Sequence, residues 1–282
     1  MAMKNKANNK PRTRELKPFE ELTITDDFMF GAVMSDPKRC RKLLEYILGI
    51  KITKIDYKEK QKTIDVSYDS KGVRLDLTVI DEKGQVFDIE IQNGRNENLP
   101  LRIRYYHDML DLDMLEKSMD YTKLNRCFVI FICTFDPFPG NDRKMYTFTN
   151  LCHEQDGLEL GDETVKIFLN TKGTVGEVDE DIDKFLAYVD GRAAEGQFTQ
   201  DIAAEVERIK QHNETKVEYM TLMMELKEQR REGFDEGINK GRVDTIVNNV
   251  RALVAKKGWS TDEAFDTLGV SPEDRVVVIS RL

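Results

Sequence analysis

The sequence predicts an α/β fold with a mixed sheet flanked by helices, followed by a C-terminal helical region. A first indication is RLDLTVIDEKGQVFDIEIQ at 74–92, where apolar and polar residues alternate with the period of a β-strand. A second is NRCFVIFICTF at 125–135, an apolar run typical of a strand buried on both faces. The third is the helical character of the chain after about residue 176. With 282 residues, 40% of them hydrophobic, the chain can bury such a core.

Two short helices are predicted ahead of the sheet. Thr25 is expected to cap the first, with Asp26 and Asp27 in its first turn, where acidic side chains stabilise the helix dipole. The sequence Ser-Asp-Pro at 35–37 ends this helix and starts a second one, because proline is favoured in a first turn. Gly49 is the expected C-cap of the second helix.

The remaining α/β elements follow in order. Residues 50–69 contain one or two β-like stretches, KITKIDY and KTIDVSY. Apolar residues recur at helical spacing over 100–124, which predicts a helix after the hairpin. Two further strands are expected at MYTFTNLC and VKIFLN. We therefore predict an α/β domain over 18–175, preceded by a basic disordered tail over 1–17 and followed by a helical region over 176–282.

The helical region carries two further patterns. Gly233, Gly237 and Gly241 share one helical face, which would allow close helix–helix approach in a homo-oligomer or simply face solvent. The segment KKGWSTDEAFDTLGVSPEDR contains two helix starts, at Ser260 and at Ser271, and resembles a helix-turn-helix. It is acidic, which is the wrong sign for reading a DNA groove. The pattern favours a small module for helix packing or protein contacts.

Composition narrows the location and the chemistry. The four cysteines show no C-x-x-C spacing, which predicts reduced thiols in a cytoplasmic protein. The polar start of the chain has no signal-peptide pattern, and no apolar run is long enough to cross a membrane. There is no phosphate-binding glycine loop and no serine nucleophile elbow, so the sequence gives little support to ATP or serine-type hydrolysis.

The hairpin places acidic side chains opposite one another. If its turn is Glu-Lys-Gly at 82–84, the register puts Asp76 directly across from Glu90, with Asp88 and Gln92 on the diagonals. Opposed carboxylates are destabilising unless a proton or a cation relieves them. Oxygen ligands of this kind suit Mg²⁺ or Mn²⁺. The alternative is an ordinary solvated polar face without a metal.

These motifs, in this order, resemble the PD-(D/E)XK nuclease superfamily. More narrowly, they resemble the Rpn family of recombination-promoting nucleases, often labelled PD-(D/E)XK nuclease family transposases. TDDFMFGAVMSD resembles the family's first helix, with Asp27 and Phe30 at matching positions. LPLRIRYYHDMLDLDML resembles its R-x-x-x-Y helix, matched by Arg102 and Tyr106. The resemblance implies a restriction-endonuclease-like core.

The resemblance also implies an activity and a set of site residues. Asp76, Glu90 and the carbonyl of Ile91 would bind Mg²⁺ or Mn²⁺ for hydrolysis of DNA phosphodiester bonds. Gln92 stands where the superfamily usually has Lys, so dipoles replace a positive charge. Asp27 would be a further catalytic residue that completes the acidic cluster, or it only stabilises its helix. Arg102 and Tyr106 would bind the substrate by holding a phosphate, or they only brace the sheet.

Two rival functions stay open. One is a catalytically idle nuclease fold that binds nucleic acid or protein, and the other is an interaction protein whose acidic cluster is only a surface. A test of metal binding distinguishes these two rivals from the enzyme, which should bind Mg²⁺ or Mn²⁺ at Asp76 and Glu90. The net charge of −9 is unfavourable for DNA binding, but residues 154–183 hold ten acids against two lysines. Basic side chains could still form a positive zone near the hairpin: Lys38, Arg39, Arg41, Lys42, Arg95, Arg102 and Arg104.

Overall fold

A computed structural model of the chain describes residues 17–60, 63–64, 73–94, 98–115 and 119–282. The predicted basic tail over 1–17 therefore lies outside the described residues, apart from Lys17. The same is true of Arg95 and of most of KTIDVSY.

The described helices are α1 (Asp27–Met34), α2 (Pro37–Leu48), α3 (Leu99–Met114), α4 (Glu180–Val189), α5 (Gln197–Lys210), α6 (Asn213–Lys257), α7 (Thr261–Leu268) and α8 (Pro272–Ile279). The described strands are β1 (Ile55–Lys60), β2 (Thr63–Ile64), β3 (Val73–Arg74), β4 (Leu77–Asp81), β5 (Val86–Gln92), β6 (Cys127–Cys133), β7 (Met145–Phe148) and β8 (Thr164–Asn170).

Six strands form one mixed sheet in the order β1-β4-β5-β6-β8-β7. β5, β6 and β8 run parallel to one another, while β1, β4 and β7 pair antiparallel to their neighbours. β6 lies inside the sheet, and all seven of its residues are buried, as its continuous apolar sequence predicts. The prediction of a mixed sheet flanked by helices, with a C-terminal helical region, is confirmed.

The β4–β5 turn has the predicted geometry. Ile80 pairs with Val86, and the Asp81 N–H donates to the Gln85 carbonyl at 3.0 Å. Gly84 closes the loop with φ of 81°, a left-handed conformation that glycine adopts without strain. The Asp81 carboxylate accepts the N–H groups of Lys83 and Gln85 at 2.9 and 2.8 Å. Turn chemistry thus sets the register that aligns the two strands.

The two helices before the sheet differ from the prediction in one detail. Asp36 caps α2 by accepting the Lys38 N–H at 2.8 Å, and Gly49 ends it with φ of 65°, both as expected. The N-cap of α1 is Asp26, so the assignment of Thr25 as its cap is wrong. The Asp26 carboxylate folds back to accept the Thr23 N–H at 2.7 Å, which favours a turn immediately before the helix.

Both faces of the central strands are covered. α3 packs on one face, where its apolar side chains join Val86, Val129 and Phe131 in a core cluster. The opposite face of β5 carries Phe87 and Ile89, which are also fully buried. The side chains of β5 therefore point into protein on both sides, including its polar ones.

The described residues up to Lys216 form one compact unit, and Val217–Leu282 form a second. α4 and α5 belong to the first unit. The assignment of 18–175 as the nuclease-like domain stays a prediction. The second unit has a small core of its own, made by Val243, Val247, Val250, Ala264, Phe265, Val270 and Val278.

The predicted helix starts and glycine face appear in the C-terminal helices. Ser260 and Glu263 form the expected capping box, and Ser271 caps α8 by accepting the Asp274 N–H. The glycine face of α6 is exposed, and a Cβ atom added at any of its three glycines would meet nothing within 4 Å. The prediction that this helix mediates a homo-oligomer stays a prediction.

Candidate active site

The carboxylates of Asp76 and Glu90 each accept a backbone N–H from the other side of the hairpin, beyond the last regular pair of the β4–β5 ladder. The Asp76 N–H donates to Glu90 Oε1 at 2.8 Å, and the Ile91 N–H donates to Asp76 Oδ2 at 3.2 Å. This reciprocal clasp fixes both side chains, and the second oxygen of Glu90, Oε2, accepts hydrogen bonds from Gln92 and Arg102. The predicted pair is therefore brought together, beside the main chain of Ile91.

The polar side chains of β5 are buried. Asp88 is 0%, Glu90 1% and Gln92 6% exposed, because α3 covers this face of the sheet. Asp88 accepts a hydrogen bond from Thr78 Oγ1 at 3.4 Å, and its Oδ2 atom has no protein partner among the described residues. The prediction that β5 carries a solvated polar face is therefore wrong, while the absence or presence of a metal at this face stays a prediction.

Arg102 and Tyr106 of α3 reach the same cluster. Arg102 Nη1 donates to Gln92 Oε1 at 2.7 Å, and Nη2 lies 3.4 Å from Glu90 Oε2. Arg102 Nε donates to the Tyr106 hydroxyl at 2.7 Å, as expected for side chains four residues apart on one helix face. Gln92 Nε2 donates to Glu90 Oε2 at 3.4 Å. Carboxylates, amide and guanidinium thus form one connected polar network.

Asp27 affects the carboxyl groups of Asp76 and Glu90 through its negative charge. It is the first residue of α1 and is exposed at the end of that helix. Its negative charge contributes to raising the pKa values of both Asp76 and Glu90. Asp27 therefore acts electrostatically on the pair, and its place in the acidic cluster stays a prediction.

Burial and like charges raise the pKa values of the three hairpin carboxyls. For Asp76 the main cause is burial, followed by the charges of Glu90 and Asp27. Burial likewise raises the pKa of Asp88, with Asp76 adding to the effect, and burial together with Asp88 raises that of Glu90. Arg102 acts in the opposite direction on all three carboxyls. The cluster is thus short of positive charge when it is fully ionised.

The donor set fits a magnesium-type ion with an incomplete protein shell. Carboxylate and carbonyl oxygens are the ligands that such ions prefer, and Mg²⁺ is commonly held by one or two carboxylates plus water and phosphate. In the described part of the chain, no group of three or more His, Cys, Asp or Glu side chains is arranged to hold a metal. Asp76 and Glu90 would therefore need the Ile91 carbonyl, water and a substrate phosphate to complete the coordination.

The raised pKa values predict how the stability of the metal-free protein depends on pH. Between the ordinary carboxyl pKa of about 4 and the raised folded values, the folded chain keeps protons that the unfolded chain has released. These carboxyls therefore contribute stability that is lost as the pH rises through their folded pKa values. His107 acts in the opposite direction below about pH 6.5, because burial lowers its pKa to about 4. We therefore expect the melting temperature in EDTA to fall between about pH 6.5 and about pH 8.

Mg²⁺ or Mn²⁺ should raise that melting temperature more at the higher pH, because protons compete with the metal for the carboxylates. Thermal melts across this pH range, with EDTA and with each metal, measure the effect. A metal-induced shift that is equal at both ends of the range would contradict the prediction.

A sequence model of the family described as PD-(D/E)XK nuclease family transposase matches residues 25–241. The chain belongs to this family. The PD-(D/E)XK membership expected from the motifs is confirmed, and the match covers the six-stranded sheet and the acidic hairpin. No curated protein and no solved structure matches the chain.

PD-(D/E)XK membership supports a nuclease related to recombination or transposition, in a family whose enzymes generally use divalent metal ions. The narrower Rpn assignment and the cytoplasmic location stay predictions. Among the described residues, no helix is both long and apolar enough to cross a membrane.

Proposed function

We propose that this PD-(D/E)XK protein is a Mg²⁺- or Mn²⁺-dependent endonuclease that hydrolyses DNA phosphodiester bonds with little or no sequence specificity. The observation that carries the proposal is the reciprocal clasp between Asp76 and Glu90. It holds two carboxylates together in a site where burial and mutual repulsion disfavour their ionised forms. Two carboxylates held together in this way lower the stability of the fold when ionised, unless a cation binds to them.

The site residues divide into two roles. Asp76, Glu90 and the Ile91 carbonyl hold the metal, which, when bound, polarises the phosphodiester and lowers the pKa of an attacking water. Gln92 and Arg102 form the hydrogen-bonding side of the site that faces phosphate and water, and Tyr106 holds Arg102 in place. Asp27 adds negative charge at the margin of the metal site.

The rival functions predict a different use of the same residues. In an idle nuclease fold or an interaction scaffold, nothing requires the hairpin carboxylates to be charged. Replacing them with neutral side chains would then leave partner binding intact. The burial of Asp88 and Glu90 argues against a role as an acidic contact surface, because a partner cannot touch side chains covered by α3.

Cleavage of supercoiled plasmid tests the proposed function. Wild type should nick and linearise the plasmid with Mg²⁺ or Mn²⁺ and not with EDTA, and Asp76→Ala should lose this activity. Asp56→Ala is the matched control and should cleave like wild type, because Asp56 is an exposed carboxylate of edge strand β1, paired with Lys54. Absence of metal-dependent cleavage in wild type, or equal cleavage by wild type and Asp76→Ala, would overturn the proposal.

A further inference from the structure

The name of the PD-(D/E)XK motif ends in a lysine, and this chain has a neutral residue at that position. In the sequence Glu90-Ile91-Gln92, the amide of Gln92 donates and accepts hydrogen bonds but carries no charge. Hydrolysis of a phosphodiester builds negative charge on the phosphate oxygens, which a nearby fixed cation stabilises in the transition state. The site therefore lacks a cation at the place where the motif supplies one.

We infer that Arg102, reaching across from α3, supplies the positive charge that Gln92 lacks. The inference rests on the proposed nuclease function. Arg102 Nη1 donates to Gln92 Oε1 at 2.7 Å, so its guanidinium lies at the tip of the side chain in the lysine's position. The same guanidinium lies 3.4 Å from Glu90 Oε2, beside a proposed metal ligand. The positive charge thus comes from a residue ten positions later in the sequence, but it lies beside the side chain at position 92.

The guanidinium is held in a fixed orientation. Arg102 Nε and Nη2 both donate to the Tyr106 hydroxyl, and the Arg102 guanidinium carbon lies 5.0 Å from the centre of the Tyr106 ring. Tyr106 is itself buried and packs edge-to-face on Phe131 at 5.8 Å. Tyr106 therefore acts as a positioning residue, and the arginine needs little reorganisation to act.

One donor of the guanidinium remains for a substrate. Arginine has five N–H groups. Within the described residues, Nε is used by Tyr106, Nη2 by Tyr106 and Glu90, and Nη1 once by Gln92. The second N–H of Nη1 has no protein acceptor among these bonds. Because the Arg102 side chain is 33% exposed, this donor can reach a phosphate oxygen at the edge of the site.

A charge-relocation experiment tests this role. We compare wild type, Arg102→Gln, Gln92→Lys and the double variant in steady-state cleavage of plasmid DNA with Mg²⁺. Arg102→Gln should lower kcat by about 10²-fold with a smaller change in KM, because the charge acts in the transition state. The double variant, with lysine restored at position 92, should recover at least about tenfold of that loss. Arg192→Gln, the same change at an exposed arginine between α4 and α5, should cleave like wild type.

The outcomes separate the inference from the proposed function. If wild type cleaves and Arg102→Gln keeps its kcat, the inference fails while the nuclease function stands. If the double variant is as inactive as Arg102→Gln, Arg102 only braces α3 on the sheet and the inference also fails. If wild type shows no metal-dependent cleavage, both fail together. Should Arg102→Gln not fold, Arg102→Lys must keep at least about a tenth of the wild-type kcat, and a larger loss overturns the inference.

Discussion

Glu90→Gln is expected to lower metal-dependent DNA cleavage by at least about 10³-fold and to stabilise the metal-free protein near neutral pH. The amide keeps the shape of the side chain and an oxygen that accepts the Asp76 N–H. It removes the charge that binds the metal, and it also removes a buried charge that burial and Asp88 disfavour. The gain in stability should be small, because the variant loses the Arg102 ion pair and the carboxylate oxygen that accepts the Gln92 amide N–H.

The opposite signs of the two effects make this variant informative. Activity is measured on plasmid DNA, and stability is measured by urea unfolding in EDTA at about pH 8. Glu159→Gln, the same change at an exposed loop position, should alter neither. Cleavage near the wild-type rate would show that Glu90 is not a metal ligand. Lower stability together with lower activity would show that the ionised carboxylate mainly supports the fold.

Phe131→Ala is expected to reduce the free energy of unfolding by about 3–5 kcal/mol. Phe131 lies fully buried in β6, and its ring packs edge-to-face on Tyr106 at 5.8 Å and Phe168 at 5.7 Å. The Arg102 guanidinium carbon also lies 5.8 Å from the ring centre. Removal of this ring leaves a cavity directly beneath the part of α3 that carries the site.

The matched control for this change is Phe148→Ala. Phe148 lies on edge strand β7 and is 43% exposed, so its loss should cost about 1 kcal/mol. Urea unfolding of the three proteins in EDTA measures both values. A loss in Phe131→Ala no greater than that in Phe148→Ala would contradict the described packing of α3 on the sheet.

The register of the hairpin was predictable from the sequence because two local rules set it. Alternation assigned each side chain to a face, and a three-residue loop ending in Gly84 set the pairing. Together they placed Asp76 across from Glu90, and the hydrogen bonds between them follow from that alignment. Arg102 and Tyr106 were also assigned to one helix face by their spacing, and they are hydrogen-bonded.

The burial of the acidic face was not predictable in the same way. Alternation shows that Asp88 and Glu90 share a face, but it cannot show whether another element covers that face. Polar side chains in alternation are typical of a solvated surface, and here α3 covers them. Their raised pKa values follow from this packing rather than from the strand sequence.

The contact between Arg102 and Gln92 could not be predicted from the sequence either, because it also depends on how α3 packs on the sheet. The two residues lie in different elements, and their meeting depends on where α3 crosses the sheet. A neutral residue in the lysine position is itself a signal to search for a displaced cation. The sequence also offers Arg104 on the same helix, but Arg104 is exposed and Arg102 is the residue that donates to Gln92.

A Mn²⁺ titration tests the central claim most directly. Mn²⁺ is added to the wild-type protein and to Glu90→Gln, and binding is measured by calorimetry or by the electron paramagnetic resonance signal of free Mn²⁺. That claim is that the clasped carboxylates Asp76 and Glu90 hold a divalent metal. We expect saturable Mn²⁺ binding by wild type that weakens by at least about tenfold in Glu90→Gln. Equal binding by the two proteins, or no binding by wild type, would contradict the account.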